Sequence, residues 1–420
     1  AYKNERIRRQ VLNMTGNRYL TGYSSNEDQY QGLMNAGVAF GQQYNLSLGV
    51  ALTPQQMALL TSDIVWLVKK EITLADGTGQ SVLVPQLYAR VKQGDLDGSG
   101  ALLSGNNIAL NVSQDLTNSG HINGREVTQL VADNLNNSGF IGGNQLALRA
   151  ATDINNIGGT LQGSDRLTAI AGRDINSSST LGGSVGNITF DRPAGIYVQN
   201  DNGQLILQAV HDINLTASQI SNNGTGSQTH LIAGNDLNLN TVTTTHSEKG
   251  DWGGGNNRTL TQSFENGTQI NGGGDVSLVA GHDLNARAAS VNAQDGLNVV
   301  AGNDLTITYG NDSYHLTENS HQTSSGLLSK KSITTHDEIQ SQTAAGSAFS
   351  GNVIAMQAGN DLTVTGSSIA GTQDVGLTAG NNLTINTADA TRQAVHQYKA
   401  KKSGFSCTGC LGVRVGSRRS

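Results

Sequence analysis

A short motif recurs along this chain, and internal repetition constrains a fold more tightly than any other property of a sequence. From about residue 102 an apolar run is followed by Ala-Gly, a polar residue, Asp or Asn, Leu or Ile, and then Asn or Thr. The clearest copies are AIAGRDIN (169–176), QAVHDINL (208–215), LIAGNDLNLN (231–240), LVAGHDLNA (278–286), VVAGNDLTI (299–307), MQAGNDLTV (356–364) and LTAGNNLTI (377–385). Looser copies are SQDLTNSG (113–120), ADNLNNSG (132–139) and ATDINNIGG (151–159). The aligned acid or amide falls at Asp115, Asn134, Asp153, Asp174, Asp212, Asp236, Asp283, Asp304, Asp361 and Asn382. Successive separations are 19, 19, 21, 38, 24, 47, 21, 57 and 21 residues, so the unit is 19–21 residues long with insertions.

Inside each unit the apolar period is two, as in Leu305-Thr306-Ile307, which is the pattern of a half-buried strand. Gly, Asn and Asp between strands supply left-handed backbone for tight corners. Short strands and corners stacked on their own copies make a parallel β-helix. Roughly fifteen coils at ~4.8 Å spacing would give a rod about 70 Å long. Composition fits: 53 Gly and 42 Asn but only 3 Pro and 18 aromatics in 420 residues suit a narrow interior and an Asn-stacked exterior. With 36% hydrophobic residues, one large compact core is excluded, while a charged content of only 14% argues against disorder.

Domain organisation follows the repeat. Residues 1–92 form an α+β leading module, with helices over Asn4–Leu12 and Asn26–Tyr44. The latter carries Tyr30, Leu33, Met34, Val38 and Phe40 roughly on one face. Thr53 caps a further helix through Leu60, and Ile64–Leu74 with Ser81–Val91 make a hairpin around Asp76-Gly77. Repeats occupy 93–308, with insertions near 177–204, an irregular loop with a short strand, and 241–270. An extended insertion spans 309–350, repeats resume over 351–390, and 391–420 is a truncated insertion or tail. Nothing approaches the ~18 apolar residues of a membrane span. The chain opens with Ala rather than a signal peptide, so it is expected to be a fragment that stops in mid-repeat.

The AGNDL-type units, the SGLLSKK and KKSG stretches of the insertions, and LTSDIVWLV (60–68) with LVPQLYARV (83–91) resemble the haemagglutinin-repeat region of two-partner-secretion exoproteins. Filamentous haemagglutinins and CdiA-type contact-dependent growth-inhibition proteins are of this kind. The resemblance covers essentially the whole chain. It implies a right-handed β-helical filament at the surface of a Gram-negative bacterium. Such a filament is secreted through an outer-membrane transporter and serves adhesion, virulence or delivery of a C-terminal toxin. The family's secretion domain, its VENN-type boundary motif and any toxin module are not found here, and the matching place resembles the later repeats.

Chemical signals are sparse. The recurrent column residues sit once per coil at one corner, which reads as a structural ladder; catalysis would need a constellation that breaks the repeat. His211 and His282 occupy a slot that holds Arg173, Asn235, Asn303 or Asn360 elsewhere, which reads as a solvated corner. His246, His315, His321 and His336 lack the paired spacing of a zinc site. Gly272–Asp275 has a calcium-repeat look, but the period is about twenty rather than nine. Cys407 and Cys410 form one C-x-x-C, read as a small local disulfide or two free thiols. No metal or cofactor is expected.

The expected function is therefore a non-enzymatic stalk of a large secreted exoprotein. For the full-length protein the partners would be the outer-membrane transporter and a target-cell receptor or glycan. Mixed charge, with a net value of −6, offers no basic field for nucleic acid, although Lys399, Lys401, Lys402, Arg414, Arg418 and Arg419 make a basic tail suited to anionic lipid or lipopolysaccharide. The alternatives are a carbohydrate-active β-helix enzyme, or direct receptor binding through the insertions at 241–270 and 309–350.

Overall fold

The computed structural model describes residues 2–15, 18–20, 22–53, 56, 59–73, 79–89, 101–327, 329–407 and 413–419. Two compact units are present, residues 1–106 with 119–126, and residues 107–118 with 127–420. In the first, α1 (Tyr2–Thr15) and α2 (Asn26–Gln43) accompany the antiparallel pair β1 (Ile64–Thr73) and β2 (Gly79–Tyr88). Ser25 caps α2, its Oγ accepting from the Asp28 N–H at 3.1 Å, and Glu27 and Asp28 place negative charge at the positive end of the helix. The buried stripe of α2 runs through Gln29, Leu33, Gly37, Phe40 and Gly41, while Val38 is 49% exposed. Sequence reading placed Val38 on the core face, because it counted apolar side chains. The packed face instead runs through glycines, since a Cβ on Gly37 would lie 2.1 Å from the Val65 carbonyl oxygen. Thr53 and Gln56 form a reciprocal capping box, Gln56 N–H to Thr53 Oγ1 at 3.2 Å and Thr53 N–H to Gln56 Oε1 at 2.8 Å. Leu59 is in a turn and Leu60 is irregular, so the helix does not run through Leu60 as expected; residues 54, 55, 57 and 58 and the Asp76-Gly77 turn lie outside the described residues.

The second unit is all-β: a right-handed parallel β-helix built of three strands per coil. A six-residue strand such as Gln228–Ala233 leads through the Asp corner to a four-residue strand such as Leu237–Asn240. The next coil then begins with another four-residue strand such as Gln269–Gly272. Equivalent strands pair in register, Leu237 opposite Leu284, Leu284 opposite Leu305, and Leu305 opposite Leu362. Alternation turns one face of each strand inward, so interior columns of like residues arise. Ala150, Ala171, Ala209, Ala233, Ala280, Ala301 and Ala358 form one such column, each at most 3% exposed. Gly follows that Ala at 172, 234, 281, 302 and 359, while Ala151 and Val210 stand in the slot in two coils. At Gly302 stacking is tight, and a Cβ would lie 2.0 Å from the Gly281 carbonyl oxygen. Among the described residues the strand that follows the Asp corner recurs ten times. Ten strands, or nine steps of ~4.8 Å, correspond to about 43 Å rather than the 70 Å expected from fifteen coils.

The shortfall goes into hairpins. Among the described residues four leave the column at one corner, immediately after the strands Ile175–Ser178, Leu237–Asn240, Leu305–Thr308 and Leu383–Asn386. Their strands are Leu181–Ser184 with Asn187–Phe190, Val242–Gly253 with Asn256–Asn266, Gly310–Gly326 with Ser329–Ala345, and Thr391–Cys407 with Val413–Arg419. The segment 177–204, expected as an irregular loop, is thus the first hairpin flanked by coil strands. Successive hairpins pair with one another into a single eight-stranded antiparallel sheet whose order follows the chain. The coils between them turn directly into the next coil, with Ala217 at φ 45°, Ala288 at φ 45° and Gly366 at φ 56°. Hairpins therefore occupy alternate coils, and geometry explains the alternation. Two hairpin strands are about 9.6 Å wide, the same as two coil steps, so one hairpin per two coils lets both stacks advance together.

Candidate functional site

The ten column residues predicted from the repeat come together in one continuous ladder. Asn134 donates from Nδ2 to Asp115 Oδ1 at 2.8 Å. From there each backbone N–H donates to the side-chain oxygen of the preceding rung. The acceptors are Asn134 for Asp153 (3.2 Å), Asp153 for Asp174 (3.2 Å), Asp174 for Asp212 (3.0 Å), Asp212 for Asp236 (3.0 Å) and Asp236 for Asp283 (3.0 Å). Asp283 then accepts from Asp304 (3.1 Å), Asp304 from Asp361 (3.1 Å), and Asp361 from Asn382 (3.0 Å). The backbone returns the contact: Leu237 N–H donates to the Asp283 carbonyl oxygen and Leu305 N–H to that of Asp361, both at 2.9 Å. A carboxylate at this corner thus accepts an N–H that the corner leaves unpaired within its own coil.

From Arg173 onward, the residue before each column residue brings a side-chain nitrogen to the rung below. Arg173 is bidentate on Asp153, while Asn235, Asn303 and Asn360 donate to Asp212, Asp283 and Asp304 at 2.9, 2.8 and 2.8 Å. What unites Arg, Asn and His in this slot is a side-chain nitrogen of suitable reach, which sequence reasoning took for mere solvation. Burial works against ionised Asp283, but the Asn303 side chain, the Asp304 N–H and His282 outweigh it and hold its carboxyl below the usual range.

Two amide ladders run beside this column. On the outer surface Asn155 donates to Asn136, Asn176 to Asn155, Asn214 to Asn176, Asn238 to Asn214 and Asn285 to Asn238, all at 2.9–3.0 Å. Inside, Asn118 donates to Asn137 and Asn137 to Asn156, both at 2.8 Å. In later coils Leu215, Leu239 and Ile307 take over that interior position.

Where hairpins meet coils, Glu265 is the node. Its side chain is 10% exposed and takes a bidentate contact from Arg287, with Nη2 to Oε2 at 2.8 Å. Thr241 Oγ1 and the Asn311 N–H add bonds of 2.7 Å each. Burial alone would raise the Glu265 pKa; the bonds from Arg287, Thr241 and Asn311 more than reverse that and bring it to about 2.

Histidines scattered in sequence are also gathered. His315 Nε2 lies 3.1 Å and His336 Nε2 3.9 Å from the Glu338 carboxylate, on one polar face of the hairpin sheet. No i, i+4 spacing signals this, because His315 reaches Glu338 across a strand pair and His336 reaches it along its own strand. A shallow groove of about 430 Å³ runs over Asn292, Gln294, Asp295, Ser350, Asn352 and Thr372. Its polar groups bond one another, with Ser350 Oγ donating to Asn292 Oδ1 at 2.8 Å and Thr372 Oγ1 to Asn352 Oδ1 at 2.5 Å. The Cys407/Cys410 pairing falls outside the described side chains. Among the described residues no helix is long and apolar enough to cross a membrane.

The hemagglutinin repeat family matches residues 194–326 and 254–405. Over its whole length the chain is 32% identical to the 16S rRNA endonuclease CdiA of Enterobacter cloacae and 31% identical to the tRNA nuclease CdiA of Escherichia coli STEC_O31. Over 99% of its length it is 31% identical to the deoxyribonuclease CdiA of Dickeya dadantii. In each case it spans only 15% of the relative. No solved structure matches.

Proposed function

Since the chain belongs to the haemagglutinin-repeat family of CdiA-type exoproteins, we propose that it is a non-enzymatic stalk segment of a large protein exported to the surface of a Gram-negative bacterium. There it would space a distal binding or toxin module from the cell. The observation that carries this reading is the unbroken Asp column through successive coils, each rung bonded only to its neighbours. Such a solenoid folds by adding coils one at a time, so it can form as a chain emerges from a transporter, and each new coil opposes back-sliding without ATP. The column carboxylates are committed to holding backbone and side-chain donors, which leaves them poorly suited to acid–base chemistry on a glycan.

In the full-length protein, Leu237→Pro removes the N–H that bonds the Asp283 carbonyl and should stall surface display, read by protease accessibility on intact cells. Undiminished display would count against coil-by-coil export. Purified protein should leave acidic polysaccharides uncleaved; turnover would favour the carbohydrate-active alternative. Receptor binding through the hairpins is the second reading, favoured by the intermediate or full exposure of nearly all side chains of the hairpin sheet. Excision of the Gly310–Ala345 hairpin with unchanged cell attachment would reject it.

A further inference from the structure

Two rungs of the Asp column share their sisters' geometry but not their chemistry. Arg and Asn nitrogens in the slot can only donate, whereas the Nδ1 of a neutral histidine carries a lone pair when its proton resides on Nε2. His211 Nδ1 lies 3.2 Å from Asp174 Oδ1 and 3.2 Å from Asp212 Oδ2. Farther along the column, His282 Nδ1 lies 3.3 Å from Asp236 Oδ1 and 3.3 Å from Asp283 Oδ2. We propose that Asp174–His211–Asp212 and Asp236–His282–Asp283 are two equivalent binding sites for a divalent transition-metal ion such as zinc.

The spacing fits: ligands ~2.0–2.2 Å from one zinc ion are about 3.0–3.5 Å from one another at octahedral to tetrahedral angles. The carboxylates are oriented by the ladder rather than left to find the ion. Asp174 and Asp236 are each fixed by a backbone N–H of the next coil at 3.0 Å. On Asp212, Oδ1 is taken by Asn235 and the Asp236 N–H, and on Asp283 by Asn303 and the Asp304 N–H, which turns Oδ2 toward the imidazole in both places. Outer bonds of this kind set ligand direction in metal sites. One imidazole with two carboxylates selects a transition metal over calcium or magnesium, which take oxygen ligands. The rings of His211 and His282 are 57% and 55% exposed, so an ion reaches them from solvent and keeps open positions for water or a partner's ligand. Each ion joins two successive coils, and it binds the folded column while the unfolded chain offers no preformed site.

The test uses the metal-free full chain titrated with zinc chloride by calorimetry, alongside His211→Asn, His282→Asn and the double variant. Asn stands in this slot in sister coils, so the variants keep the ladder donor and the fold. The wild type should take up two more equivalents of zinc than the double variant, and each single variant one more. Zinc should raise the thermal midpoint of the wild type and leave that of the double variant unchanged, with equal midpoints in chelator. Zinc uptake by the double variant equal to that of the wild type, whether at the His315–Glu338 cluster or elsewhere, overturns the proposal. So does a midpoint that zinc shifts equally in both.

Discussion

Replacing Glu265 by Gln removes one negative charge from the point where two hairpins and a coil converge, and the structure sets the size of the loss. The carboxylate accepts from both arms of Arg287, from Thr241 and from the Asn311 N–H. A carboxamide presents an NH₂ to one of these donors and leaves Arg287 without its counter-ion. Lowering the pKa from 4.5 to about 2 would be worth about 3 kcal/mol if fully expressed. Arg287 is 43% exposed, so solvent screening reduces the expectation to about 2 kcal/mol at neutral pH. The folded-state pKa lies below the unfolded value. The stabilisation is therefore complete above pH 4.5 and is lost as pH falls toward 2, with roughly half gone near pH 3. Urea unfolding of wild type and Glu265→Gln at pH 7 and pH 3 reads this directly: the gap between the two proteins should be largest at pH 7 and shrink at pH 3. Equal stability at pH 7, or a gap that is independent of pH, would refute the node.

Further outcomes follow from the same geometry. Asn137→Ala removes one acceptor of the Asn118 amide, which keeps its bond to the Phe140 carbonyl, and the donor to the buried Asn156 oxygen, and should cost about 1–3 kcal/mol in urea unfolding. Deleting 283–303, one plain coil, puts two hairpins on adjacent coils and should broaden or abolish cooperative melting by circular dichroism. Deleting 236–303, two coils with one hairpin, preserves phase and should leave the melt sharp. Gly302→Ala drives a Cβ into the Gly281 carbonyl and should lower the melting temperature far more than Gly376→Ala, where a Cβ meets only the Ile354 carbonyl oxygen at 3.9 Å. Burial lowers the His121 pKa to about 4, so protonation opposes folding. Stability should fall as pH drops from 6.5 toward 4, and His121→Gln should flatten that limb.

The sequence by itself determined the coil. An acid or amide every 19–21 residues with insertions, apolar residues at period two, and an Ala-Gly step in most copies leave little besides a parallel solenoid, because each feature repeats a contact between like positions. The ten corners were legible for that reason, and so was the cap at Thr53; the Ser25 cap of α2 came only with the structure. Val38 was misplaced because the packed face of α2 runs through Gly37 and Gly41, which no hydrophobic pattern marks. The hairpin sheet was decided only in three dimensions. Its strands pair Asn257–Ser263 with Ser313–Asn319 and Ser329–Gln342 with Thr391–Gly404, across separations that follow no repeat, and their mostly polar residues show little amphipathic signal. What aligns them is the width of two strands matching the rise of two coils, a length that exists only once the column has been stacked.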